Sequence, residues 1–269
     1  MIIKSHRDIL NLIQENSGTP TQHTFLDSYL GNNHPRYPIN VPTLRLIAKE
    51  WSKSNLHLSA KEFQKVIESL IYGKSATEKN MAGILLDLST KEQRKFDPIC
   101  FEKWIDQLVG WAEIDSVCTG SYTATEVPAN WETWSSLLTK FSKSKNINKR
   151  RASLVLLCSP MRKAADNRLA DMAFANVNRL KHEKEILITK AISWLLRSMI
   201  KHHRKEVAHY LKANEETKSL FAAHGSHAFT YSKKNGKTYT MNYWFVPEEI
   251  FENREKFPEW VDLAISVSN

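Results

Sequence analysis

Asn40-Val-Pro-Thr-Leu-Arg-Leu-Ile-Ala-Lys-Glu-Trp51 reads as the start of a helix: Pro42 suits the first turn, and Leu44, Ile47, Ala48 and Trp51 fall on one apolar stripe. Ser59-Ala-Lys-Glu62 follows with the S-x-x-E pattern of a capping box, which predicts a second helix close behind the first. Outward from this pair, amphipathic runs succeed one another at 4–15, 21–30, 42–53, 59–72, 76–88, 97–109, 111–122, 128–141, 146–158, 164–177, 182–200 and 203–213. Pairs of roughly 35 to 45 residues have the size of HEAT-type units. Self-similarity at that period is not visible, and a globular helical bundle would give the same string of helices.

Composition agrees with a helix-rich chain. Its 269 residues include only 8 Gly and 9 Pro, and the prolines mostly fall between apolar runs, where helices start or stop. Ala228-Phe-Thr-Tyr-Ser-Lys-Lys-Asn-Gly-Lys-Thr-Tyr-Thr-Met-Asn-Tyr-Trp-Phe245 breaks the pattern, alternating aromatic or β-branched residues with polar ones around Asn235-Gly236, which predicts a β-hairpin. A last short helix is expected over 247–266, with acids in its first turn. The expected organisation is a helical domain over 1–225, with the hairpin and short helix of 226–269 packed on it.

The 38 Lys and Arg against 29 Asp and Glu give a net charge of +9, which attracts polyanions without choosing between DNA, RNA and an acidic protein. Cys100, Cys118 and Cys158 form no C-x-x-C motif, so neither a disulfide framework nor a thiolate zinc site is expected, and a reducing cytoplasmic setting fits. The first residues turn charged after two apolar ones, and no run approaches a membrane span. Phosphate-binding glycine loops, the G-x-S-x-G elbow and the H-E-x-x-H metal helix are missing from the sequence. No metal and no cofactor are expected, and the chain is expected to be a monomer.

Four side chains stand out against this background. Trp111 and Asp115 are four apart, so an indole face and a carboxylate stand one above the other on a helix and can address one positively charged ligand. Asp115 also sits beside Leu108 and Cys118, and Arg151 shares a row with Ile147, Leu154, Val155 and Cys158. A charge on an apolar row needs a partner. A buried Asp–Arg pair would account for both residues; so would a site that keeps the carboxylate ionised while the arginine engages phosphate. Trp194 leaves the core stripe of Ile188, Ile192, Leu195 and Met199 and shares a row with Lys190, Arg197 and Lys201. It either covers neighbouring stems at a helix edge or forms a stacking surface in a phosphate-binding stripe. Lys143, Lys149 and Arg150 belong to a run from Lys140 to Arg151 that contains no acid, and Lys233, Lys234 and Lys237 crowd the hairpin tip.

In Val41-Pro-Thr-Leu-Arg-Leu-Ile-Ala-Lys49, in Trp111 to Ser116, in Arg151-Ala-Ser and in Lys190-Ala-Ile-Ser-Trp-Leu-Leu-Arg197 the sequence resembles the DNA alkylation repair family of HEAT-like DNA glycosylases. Glu206 to Asn214 looks like the family's next helix, so the likeness runs from about 20 to 220 in the family's order. The resemblance implies an all-α HEAT-like superhelix holding duplex DNA on a concave basic face. It also implies release of cationic N3- or N7-alkylated purines without flipping the base into a pocket. The catalytic roles would fall on Asp115, Trp111, Trp194 and Arg151.

Two departures are evident. Trp111-Ala-Glu stands where many members have Trp-Asp, a change expected on the solvated side of that helix. The hairpin is not general in the family, and some relatives use such an addition to bind branched DNA with little base excision. A non-catalytic binder of bent or branched DNA and a HEAT-type protein scaffold therefore stand beside the alkylpurine glycosylase.

Overall fold

The computed structural model describes residues 2–21, 31–183, 185–210, 215–223, 225–232 and 238–244, with Asn253, Lys256, Glu259 and Trp260 beyond them. The helices expected over 21–30 and 247–266 lie largely outside these residues. The chain is mostly helical and forms two compact units, Met1–Lys163 and Ala164–Asn269. This boundary follows packing, whereas the one read at 225/226 follows a change of secondary structure.

The first unit comprises α1 (Ile2–Ser17), α2 (Val41–Ser54), α3 (Ala60–Ile71), α4 (Ala76–Leu88), a 3-10 turn (Pro98–Cys100) leading into α5 (Phe101–Ile105), α6 (Gly110–Cys118), α7 (Ser121–Ala129), α8 (Trp131–Ser142) and α9 (Ile147–Lys163). The α2 stripe is buried as its spacing predicts: Leu44, Ile47, Ala48 and Trp51 face inward, and Asn40 caps the helix by accepting from Thr43 N–H. Ser59–Glu62 forms a complete capping box, and Ser75–Glu78 forms a second one at the start of α4. Each satisfies backbone donors that a helix start leaves unpaired.

Two helices organise the core. α4 packs against α2, α3, α6 and α7, while α9 packs against α6, α7 and α8. Burial of α9 is continuous from Arg151 to Met161. Such a helix is stabilised by burial on every side, at about 1.5–3 kcal/mol for each large apolar side chain. Between α5, α7 and α8 lies an aromatic cluster in which Phe96 stacks on Tyr122 at 5.3 Å and Phe101 meets Trp134 edge-on at 5.0 Å.

Three expectations about helix boundaries are corrected. The run read over 111–122 is two helices, because Gly120 takes φ +105° and Asp87 accepts from the Ser121 N–H at the start of α7. A Cβ at Gly120 would stand 2.7 Å from the Asp87 carboxylate oxygen. Pro128 and Pro160 lie inside α7 and α9 rather than between helices. For α9 the buried apolar surroundings outweigh the one hydrogen bond that proline forgoes. The run at 97–109 shortens to the 3-10 turn and α5.

Gly83 sets the approach of α4 to α6. A Cβ there would overlap the backbone carbonyl oxygen and hydroxyl of Ser116 and stand 2.6 Å from its carbonyl carbon. Alanine is the better helix former by about 1 kcal/mol. Gly83→Ala is nevertheless expected to destabilise by about 1–3 kcal/mol, because backbone must move to admit the methyl group. Chemical denaturation measures this, and a stabilised variant would show that the helices separate freely.

The second unit comprises α10 (Asn167–Leu180), α11 (Ile186–Met199), α12 (Arg204–Tyr210), α13 (Glu215–Ala223), β1 (Ala228–Ser232) and β2 (Thr238–Trp244). The strands pair antiparallel, Tyr231 opposite Tyr239 and Ser232 opposite Thr238, with an irregularity between Ala228 and Thr230. Trp244 on β2 packs against Phe221 of α13, whose ring lies 4.4 Å from that of Trp260. The segment expected to turn between the strands, with Lys233, Lys234 and Lys237, lies outside the described residues. Among the described residues no helix is long and apolar enough to cross a membrane.

Candidate functional site

Arg151 leaves a row of α9 whose neighbours Leu154, Val155 and Cys158 are wholly buried, so its guanidinium is carried into an apolar layer. Its fork is directed at Asp115: Nε donates to Oδ1 at 2.9 Å and Nη2 to Oδ2 at 2.8 Å. This is the bidentate geometry that makes arginine–carboxylate pairs both strong and directional. The arginine side chain is 5% exposed and the aspartate side chain 16%, so of the two partners the aspartate lies nearer the surface. The pairing of Arg151 with Asp115 read from sequence is present.

Asp115 is under opposed influences. Burial pushes its carboxyl above the ordinary value, against the hydrogen bonds and positive charge of Arg151. Trp111, one turn earlier on α6, is half-buried, so an indole and a carboxylate occupy one face of a nine-residue helix at the margin of the core. A site of this kind suits a cation or a developing positive charge, since it offers one fixed negative charge and an aromatic face at low local dielectric.

Sequence reasoning missed Glu113. The acid expected on the solvated side of α6 is fully buried, with Oε1 2.7 Å from His34 Nδ1 and Oε2 accepting from Val109 N–H at 2.8 Å. A signal was present, because Glu113 lies one turn from both Val109 and Val117. Nothing in the sequence pointed to His34.

The basic residues have unlike fates. Lys149 pairs with Asp106 at 2.7 Å, and Arg150 Nη1 donates to the carbonyls of Ser144 and Lys145 at 2.9 Å, closing the turn before α9. Lys143 is exposed. In the second unit α11 buries Ile188, Ile192, Leu195 and Met199, while Lys190 and Arg197, and Lys201 in the turn that follows, are exposed and Trp194 is half-buried. That helix therefore has one apolar and one cationic face.

A helical scaffold that presents an indole and an arginine-held carboxylate, in a chain of net charge +9, has the features of a protein that handles cationic groups near a polyanion. The chain belongs to the DNA alkylation repair enzyme family, whose model matches residues 14–226. Residues 205–268 match the model of the TfoX N-terminal domain, so the strand pair, read from sequence as an addition to the repair fold, lies in a stretch with its own likeness. Among solved structures the chain is similar to a predicted DNA alkylation repair enzyme from Enterococcus faecalis. The identity is 17% and the TM-score 0.53, over 68% of this chain and 84% of that one, a likeness of fold. No curated relative matches the chain.

Proposed function

We propose that the protein is a DNA glycosylase that hydrolyses the N-glycosidic bond of cationic N3- or N7-alkylated purines in duplex DNA, without drawing the base into a pocket. The observation that carries this reading is the partly exposed Asp115 side chain, its carboxylate fixed by Arg151 and one helical turn from Trp111. An alkylated purine already bears positive charge, so it departs with its bonding electrons without a general acid. What remains is to stabilise the oxocarbenium-like sugar and to orient a water. Asp115 supplies the charge and aligns the water, and Trp111 adds cation–π contact with the sugar. Arg151 fixes the carboxylate and opposes the upward push of burial on it. Trp194 takes the role of a second aromatic on the family motif alone.

In this reading the helices form a HEAT-like superhelix, and the α11 cations pair with phosphates. Incubation with duplex DNA containing N7-methylguanine and N3-methyladenine is expected to release free base. Tight binding without release would leave DNA recognition, of bent or branched forms included, as the activity. Replacing Lys190, Arg197 and Lys201 together with Gln is expected to flatten the log–log dependence of duplex affinity on salt by roughly one unit for each phosphate no longer neutralised. An unchanged slope would move the DNA surface elsewhere.

A further inference from the structure

The helix that carries Trp111 and Asp115 is fastened on its other side by groups for which the proposed reaction has no use. Val109, at the N-cap of α6, makes no side-chain cap. Glu113 compensates by reaching back to the Val109 N–H, and its second oxygen meets His34. Asn32 adds a bond from Nδ2 to the Val109 carbonyl at 3.2 Å and is itself held by Arg36 Nη2 at 2.7 Å. Gly31 and Gly110, at φ +73° and +75°, let the two backbones meet: a Cβ on Gly31 would stand 3.4 Å from Gly110 Cα. The segment is anchored in turn to the start of α4, where Ala76 N–H donates to the Pro35 carbonyl and Tyr37 N–H to Thr77 Oγ1, both at 3.0 Å.

Glu113 and Asp115 are two residues apart, which places them roughly 200° apart around the helix. One is tied to residues 31–37 and the other to α9, so any rotation of α6 that would carry Trp111 or Asp115 away has to break a carboxylate tie. A wholly buried carboxylate costs desolvation that a leucine would avoid, and buried ion pairs are commonly replaceable by apolar residues without loss of stability. A carboxylate in this place, bonded at once to the Val109 N–H and to His34, fits a directional task better than a packing one.

We propose that His34 and Glu113 are positioning residues, holding α6 in the rotation and depth at which Trp111 and Asp115 meet the damaged nucleotide. This rests on the glycosylase reading, and the test separates the two. Full-length wild type, Glu113→Leu and Glu113→Gln are compared in single-turnover release of N7-methylguanine from duplex DNA. The same proteins, with 15N-labelled tryptophan, report the Trp111 indole resonance, assigned through Trp111→Phe. Glu113→Leu is expected to slow release by about 10- to 100-fold, well below its melting temperature, with duplex affinity within about three-fold of wild type. It should also shift the Trp111 resonance.

Glu113→Gln, which keeps an acceptor for Val109 and a partner for His34, should restore the resonance and bring the rate to within about three-fold of wild type. An unchanged rate and resonance in Glu113→Leu, or equal loss in both variants, would overturn the proposal. If wild type releases no base, the glycosylase reading fails and the resonance alone decides: a shift in Glu113→Leu that Glu113→Gln reverses upholds the positioning role, and no shift ends it. If Glu113→Leu does not fold, His34→Leu, at a site 27% exposed, takes its place with the same expected outcomes.

Discussion

Asp115→Asn is expected to slow single-turnover base release by at least about 10²-fold while leaving duplex affinity within about three-fold. The substitution is nearly isosteric and keeps one acceptor for Arg151, so α6 and the bound DNA should hold their positions, although the fold loses stability because the buried guanidinium no longer meets a charge. In the proposed reaction it removes a full negative charge that would face the sugar as positive charge develops there, an interaction made in the transition state far more than in the ground state. The 16% exposure of Asp115 makes the effect large, because a charge so placed is only weakly screened by water. Near wild-type excision by this variant would end the mechanism, and a parallel loss of DNA affinity would mean that Asp115 organises the binding surface instead.

How much of this was legible in sequence depends on the range of the interactions. The α2 stripe and the Ser59 capping box were readable because a helix writes its partners three and four residues apart. Arg151 and Asp115 were readable as anomalies, since each charge stood on an apolar row, and the structure resolves both by pairing them. The break at Gly120 was hidden because it depends on a positive φ and on Asp87, a residue on another helix. Lys149 and Arg150 looked equivalent to Lys143 in a charge run. Only three-dimensional structure shows that Asp106 and two turn carbonyls engage them. Glu113 and His34 are 79 residues apart, beyond any periodicity.

Removing Arg151 is the more disruptive change, and its consequences have a definite sign with pH. Arg151→Met fits the apolar layer but leaves Asp115 without its two donors, a loss expected to cost about 3 kcal/mol at neutral pH, as for other broken buried pairs. Burial already pushes the Asp115 carboxyl above its ordinary value, and Arg151 is what opposes the rise, so the variant's carboxyl rises further. In the native state the proton is then held more tightly than in the unfolded chain. The destabilisation should therefore be small below the unfolded carboxyl range and grow as pH rises through the native value. The acid limb of base release, which requires ionised Asp115, should move to higher pH by the same cause. Asp115→Asn combined with Arg151→Met should recover much of the lost stability, because no charge is then left unpaired. Additive losses in that double variant, or a stability difference independent of pH, would mean that Arg151 acts through packing rather than through the carboxylate it holds.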